Sequence, residues 1–256
     1  MPYATVALMK QNIGINANEN GNFELVTQRS YTDDTLIISC IGFQSLHIAT
    51  NELPSNKLYE IEEKQNILEE VLVSSKYDST AILNEISGCG IDAYVSSGQM
   101  QQMAMQLRAP KENTILTEIN ICKRRGNAFF RIRVYDLDTL SGGPGKDLTD
   151  SVIEVNSNDR HIHIDLGKKG IFIPQKDFFI AVEWLIIPVN KVVEKYRQEG
   201  KKAEFIYYEP SIFFKRKKKD DEEDNAVTWL KMYNGKWGSQ FGMNLRLLIS
   251  GTVKFN

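Results

Sequence analysis

The sequence predicts an all-β protein made of two β-sandwich domains, a small one and then a larger, jelly-roll-like one, joined by a short helical connector. Three observations predict this. Short apolar segments bounded by Gly, Asn, Asp and Ser recur along almost all of the 256 residues. Aromatic residues reach 10%, with ten Tyr and twelve Phe, a balance that suits pleated sheet surfaces. Helical spacing is confined to two stretches, Tyr77–Ser87 and Asn190–Lys202.

In the first part, Pro2–Leu8, Asn22–Thr27, Thr35–Ile41, Ser45–Thr50, Leu58–Glu62 and Leu68–Val73 read as short strands. Glu19-Asn20-Gly21-Asn22-Phe23 is the sharpest turn, because Asn-Gly tolerates the positive φ of a tight hairpin. Residues 1–75 are therefore expected to form a small sandwich. Residues 76–90 read as the connector. Asp78 or Ser79 caps a helix through Ala81, Ile82, Leu83 and Ile86, and Gly88-Cys89-Gly90 ends it.

Residues 91–256 read as the second sandwich, with longer strands. These are Gln99–Leu107, Thr114–Arg124, Ala128–Leu137, His161–Leu166, Phe178–Ile187, Phe205–Phe214, Ala226–Tyr233 and Asn244–Leu248. Phe130, Ile132 and Val134 share one strand face, with Arg131 and Arg133 on the other. Val192, Val193 and Tyr196, ended by Gly200, predict a short helix inserted near 190–202.

Composition excludes several classes. The net charge of −2 gives no global attraction to nucleic acid or an anionic membrane. Lys215-Arg216-Lys217-Lys218-Lys219 is cancelled by Asp220-Asp221-Glu222-Glu223-Asp224 within a Debye length of about 8–10 Å, so it reads as a solvated, mobile loop. No apolar run is long enough for a membrane-spanning helix, and no signal peptide opens the chain. Cys40, Cys89 and Cys122 lack any CxxC, which argues against a disulfide scaffold and a cysteine-built zinc site; a single Cys89–Cys122 bridge remains open.

Candidate chemistry is sparse. His161, His163 and Asp165 alternate along one strand and form a possible zinc or copper ligand set without an evident fourth member. Asp136, Asp138 and Asp147 frame a Gly143-Pro144-Gly145 turn that fails as an EF-hand and as a phosphate loop but leaves weak calcium binding open. No other cofactor is expected. No GxSxG or HExxH occurs. Trp184, Trp229, Trp237 and Tyr233 are candidates for a sugar-stacking platform. Trp184 reads as core, whereas Trp237, with Tyr233 at the same hairpin tip, is the best ligand contact.

Pro2-Tyr3-Ala4-Thr5-Val6, Asn20-Gly21-Asn22-Phe23, Asp34-Thr35-Leu36 with Ser39, and Ile41-Gly42-Phe43 occur in this order, followed by Leu68-Glu69-Glu70-Val71-Leu72-Val73. Residues 1–75 thereby resemble the carboxypeptidase regulatory-like domain, an Ig/transthyretin-like sandwich common in Bacteroidetes surface proteins. The resemblance implies no peptidase activity. It also implies that the family's first strand, of the type G-x-V-x-D, and any signal peptide are missing ahead of Met1. Too few residues follow Val73 for the plug and barrel of a TonB-dependent receptor. Arg131-Ile132-Arg133-Val134-Tyr135, Gly143-Pro144-Gly145 and Phe178–Trp184 look similar to a second sandwich that follows this domain in shorter proteins.

The expected function is that of a non-catalytic binding or scaffold protein, periplasmic or outer-membrane-associated, with a protein or glycan partner. The alternatives are a carbohydrate-binding module in the second domain and a metal-dependent hydrolase at His161, His163 and Asp165.

Overall fold

A computed structural model describes the chain except for residues 28–32, 55, 65–76, 150, 168–169, 199–200, 217–226 and 240–244. The expected strand Leu68–Val73 and most of the charged 215–224 run lie outside the described residues. The fold is all-β, with several sheets and, among the described residues, two short 3-10 turns. No helix among the described residues is long and apolar enough to cross a membrane.

The amino-terminal sheet contains β1 (Thr5–Leu8), β2 (Ile13–Asn16), β3 (Thr35–Ser39) and β4 (Leu46–Ala49), in the order β2-β1-β3-β4. Val6, Leu8, Leu36 and Ile38 point into one core, covered by Phe23, Leu25, Leu53, Tyr59 and Ile61. Those last residues come from coil, so the expected strands Asn22–Thr27 and Leu58–Glu62 are not formed; Phe43↔Glu63 makes a lone bridge instead. Ile13–Asn16, not anticipated, supplies the second strand. The first strand starts at Thr5 because Tyr3 adopts φ 55, outside the extended region.

Asp34 explains why Asp-Thr-Leu opens β3. Its Oδ1 accepts from the Lys10 N–H at 2.8 Å and the Thr35 N–H at 2.7 Å, and its Oδ2 accepts from the Gln11 N–H at 3.1 Å. Thr50 Oγ1 accepts from the Asp34 N–H at 3.0 Å. One buried carboxylate therefore satisfies the N–H groups of the turn that reverses β1 into β2.

The remaining strands are β5 (Ser79–Leu83), β6 (Ala93–Ser96), β7 (Met100–Arg108), β8 (Thr114–Cys122), β9 (Ala128–Leu137), β10 (Pro144–Asp147) and β11 (Ile153–Ser157). They continue with β12 (His161–Asp165), β13 (Ile171–Ile173), β14 (Asp177–Trp184), β15 (Lys191–Gln198), β16 (Lys201–Arg216), β17 (Thr228–Met232), β18 (Trp237–Ser239), β19 (Leu245–Leu247) and β20 (Ile249–Phe255). A seven-stranded sheet runs β10-β9-β14-β7-β17-β18, with β11 also on β9; a five-stranded sheet runs β12-β8-β20-β5, with β13 also on β8. Phe130, Ile132, Phe178, Ile180, Val182 and Trp184 from the first meet Leu116, Ile119, Ile121, Ile249 and Val253 from the second in the main core. Trp184 is fully buried, as its apolar neighbours imply, and its indole N–H donates to the Pro210 carbonyl at 2.9 Å.

Both helical expectations are overturned. Ser79–Leu83 of the expected connector is an edge strand, paired Leu83↔Gly251 through Ser79↔Phe255 with the carboxy-terminal strand. A cap and four apolar residues make a helix too short to stand alone, and a ready sheet edge wins. Lys191–Gln198 forms a hairpin with β16 over eight residue pairs, preceded by a 3-10 turn at Pro188–Asn190. The paired β-branched Val192 and Val193 favour the strand there.

The open cysteine question resolves as a Cys89–Cys122 disulfide, Cα–Cα 5.4 Å, with Cys40 free. The bridge ties the stretch after β5 to β8. The two halves also touch directly. Asn16 Oδ1 accepts from the Ile186 N–H at 2.8 Å, Arg131 Nη1 donates to the Tyr3 carbonyl at 3.2 Å, and the Tyr3 and Phe129 rings meet edge-on at 4.9 Å.

Asp34→Ala strips acceptors from three N–H groups and is expected to destabilise the protein by about 2–4 kcal/mol, with Asp34→Asn intermediate because one oxygen survives. Urea unfolding checks the order; equal stability of the three proteins would refute it.

Candidate functional site

Side chains alternate across a strand, so the seven-stranded sheet has an outer face opposite the core. Register aligns that face into transverse rows. One row runs Arg131, Glu183, Gln102, Lys231, Trp237 across β9, β14, β7, β17 and β18. The next runs Arg133, Ala181, Ala104, Trp229. A third begins Tyr135, Phe179, Gln106. Three cations thus lie among aromatic rings on one sheet face, over a floor of two alanines.

The polar groups form a chain. Tyr135 Oη donates to Gln102 Oε1 at 2.8 Å, and Gln102 Nε2 donates to Glu183 Oε2 at 3.2 Å. Glu183 lies 3.9 Å from Arg131 Nη1, and Arg131 Nη2 donates to Glu154 Oε1 at 2.9 Å. Arg133 pairs through Nη2 with Asp147. Among the described residues, its Nε and Nη1, together with Trp229 Nε1, are buried donors without a hydrogen-bond partner. Lys231 Nζ sits 5.7 Å from the Trp237 ring centroid and 6.0 Å from that of Tyr135, and those two rings meet edge-on at 5.4 Å. Burial pulls the Lys231 ammonium below the usual lysine range; Glu183 opposes the shift and Arg133 adds to it. Burial pushes the Tyr135 phenol up to about 12.

The Asp138–Gly143 turn closes over this face. Gly142 needs φ +73, and a Cβ on Gly143 would stand 2.8 Å from the Trp229 ring, so both glycines are dictated by the turn and the close approach. Asp138 accepts from the Leu140 N–H at 3.0 Å and from Ser141 Oγ at 2.6 Å. Asp136 accepts from the Lys146 N–H, and Asp147 serves Arg133 and the Thr149 N–H. The three carboxylates proposed for calcium are thus spent separately on shaping the turn and do not converge.

Tyr233 does not line the accessible face. It is buried beneath Gly14 of the amino-terminal sheet, where a Cβ would stand 2.2 Å from its ring, and its hydroxyl has no hydrogen-bond partner among the described residues. Burial, with Glu183 adding to it, raises its phenol far above the usual tyrosine range. Trp237 is half-buried on the edge strand β18, beside the cationic row.

His161, His163 and Asp165 do alternate outward on β12. They are not brought together: His163 Nδ1 lies 3.0 Å from Asn120 Oδ1, and Asp165 Oδ1 accepts from the Gly167 N–H at 2.8 Å. His161 turns instead to Cys89 and Cys122. Sequence alone read the Arg131/Arg133 alternation but missed Gln102, Tyr135, Glu183 and Lys231 as one cluster. Their signal is cross-strand register, which no local pattern carries.

Residues 1–73 match the CarboxypepD_reg-like domain, so this segment, under a third of the chain, is similar to that family. No curated protein matches the chain significantly. Among solved structures, one similar chain holds the cysteine protease and lectin-like domains of Cwp84, a surface layer associated protein of Clostridium difficile. It is 11% identical with a TM-score of 0.39, over 62% of this chain and 33% of that one. A second is the clostridial cysteine protease Cwp84 after propeptide cleavage, 7% identical with a TM-score of 0.44, over 99% of this chain and 66% of that one. This chain thus spans about a third of the first.

The phenols give a pH signature. Tyr135 keeps its proton in the folded state until about 12, whereas an unfolded tyrosine loses it near 10. Its contribution is complete below pH 10 and is lost as pH rises towards 12, about 2–3 kcal/mol for this group. Tyr135→Phe is expected to flatten that part of the stability–pH profile, measured by urea unfolding; an unchanged alkaline slope would contradict the burial argument.

Proposed function

We propose that this protein is a non-catalytic binding protein of the cell envelope, periplasmic or attached to the outer membrane, and that its larger, jelly-roll-like half takes a glycan on the outer face of the seven-stranded sheet. The observation that carries the reading is Trp237, half-buried on the edge strand β18, with the Lys231 ammonium 5.7 Å from its ring centroid and the Tyr135 ring edge-on behind it at 5.4 Å. The C–H faces of a sugar pack on such an aromatic ring, and its hydroxyl oxygens accept from a neighbouring cation.

Two further observations support the cellular setting. A Cys89–Cys122 disulfide persists best in an oxidising compartment. The match of residues 1–73 to the CarboxypepD_reg-like domain agrees with the Bacteroidetes surface proteins that this segment resembles. The cysteine protease and lectin-like proteins of similar shape are too distant to contribute.

A glycan array followed by calorimetry tests the reading. Trp237→Ala is expected to weaken the strongest hit at least about tenfold, equivalent to about 1.4 kcal/mol of lost stacking, with the protein still folded by circular dichroism at the assay temperature. No array hit, together with no tryptophan fluorescence change on adding polysaccharides, would remove the glycan. Saturable hydrolysis of the bound glycan would overturn the non-catalytic reading, and fractionation of the protein with the cytoplasm of its own native cells would overturn the location.

A further inference from the structure

The geometry points to a thiol-dependent metal site at Cys89, Cys122 and His161, closed by the disulfide and opened by its reduction. These three residues are the group of His, Cys or acidic side chains that gathers within 4.8 Å among the described residues. They arrive from three places in the chain. Cys122 ends β8, His161 faces it as its direct partner on β12, and Cys89 comes over from the turn after β5.

A tetrahedral ion lies within reach of the three side chains. Bonds of about 2.3 Å to sulfur and about 2.1 Å to imidazole nitrogen at the tetrahedral angle place the two ligand atoms about 3.6 Å apart. His161 Nδ1 already lies 3.6 Å from Cys122 Sγ. Cys89 Sγ stands 3.7 Å from Nδ1 and 3.5 Å from Nε2, almost equidistant from the two nitrogens and so off the line of either lone pair. Once the bridge is open, that sulfur must move round to the Nδ1 side, to about 3.8 Å from Cys122 Sγ in the same geometry. Cys89 can make that move because it is half-buried in a turn, whereas Cys122 is buried against Phe213 and Leu248.

The turn has its own tether. Arg160 Nη2 donates to the Gly90 carbonyl at 3.2 Å, and its guanidinium lies 5.0 Å from the Phe213 ring centroid. The Cys89 turn thus stays beside His161 when the bridge opens, and the nearby positive charge favours thiolates. A dithiol reductant breaks the S–S bond, becomes a disulfide itself and leaves two thiols. Metal capture then releases both thiol protons to water and gives two thiolates and one imidazole on the ion, with a fourth position open on the solvent side. Two sulfurs and one nitrogen select zinc or another thiophilic ion over calcium or magnesium.

The test is titration of the full-length protein with Co²⁺ as a zinc probe, with and without prior reduction by a phosphine under anaerobic conditions. One Co²⁺ per reduced chain is expected, with an intense sulfur-to-cobalt band in the near ultraviolet and tetrahedral bands in the visible. The oxidised protein should show neither. His161→Gln lies on an exposed strand face and leaves the fold intact; it should weaken Co²⁺ by at least about tenfold. His163→Gln and Cys40→Ser should change nothing. In the reduced wild type, Zn²⁺ should protect two thiols from alkylation and leave Cys40 reactive. The proposal fails if the reduced protein gives no sulfur-to-cobalt band, if the oxidised protein gives the same one, or if His161→Gln binds as wild type.

Discussion

The structure depends on burying both faces of β14. On its inner side Phe178, Ile180, Val182 and Trp184 enter the main core, and on its outer side Phe179, Ala181 and Glu183 are buried as well. A strand buried on one face needs one partner sheet; a strand buried on both needs a cover on each side. The five-stranded sheet covers the inside. Outside, the cover is assembled from the amino-terminal sheet around Tyr3, Gly14 and Asn16 and from the glycine-rich turn over Trp229. The contact between the two halves is thus a consequence of how the larger sheet is patterned.

That constraint also explains the buried charges. Glu183 sits in the middle of a covered face, where an unpaired carboxylate would cost several kcal/mol. Gln102 donates to it at 3.2 Å, and Arg131 approaches at 3.9 Å while bonding Glu154 and the Tyr3 carbonyl. The chain of partners reaches from the amino-terminal sheet to Tyr135. Arg131 is therefore a structural residue as much as a charge: its guanidinium serves Glu154, Glu183 and Tyr3 together, which a lysine's single ammonium does not match.

The all-β class, the core positions of β9 and β14, and the outward alternation of β12 were legible in the sequence because each rests on a period of two within one segment. Ser79–Leu83 and Lys191–Gln198 were not, because the deciding partner of the first lies some 170 residues away and the second is fixed by pairing with β16. The coil at Leu58–Glu62 failed for a different reason. Its Tyr59 and Ile61 do pack on the amino-terminal core, as their apolar character suggests, but burial of alternate side chains does not require a ladder of backbone bonds. Asp34 stood out only through the family resemblance, and its three accepted hydrogen bonds supply the physical reason for it.

The candidate site was half legible for the same reason. Trp237 was chosen from a hairpin tip and does sit at the edge of the polar face, whereas Tyr233, four residues earlier in that hairpin, turns the other way beneath Gly14. Their fates differ because Lys231 to Trp237 closes a two-strand ladder while Tyr233 lies in the turn between, free of the alternation that aims strand residues. The absence of a side chain at Gly14 then decides the outcome: any larger residue would occupy the space of the Tyr233 ring, so the close docking of the amino-terminal sheet and the loss of Tyr233 as a ligand contact are one event. What remains partly exposed at the border of that face is Trp237 on its edge strand, beside a row from Arg133 to Trp229 that the turn and the docked sheet cover.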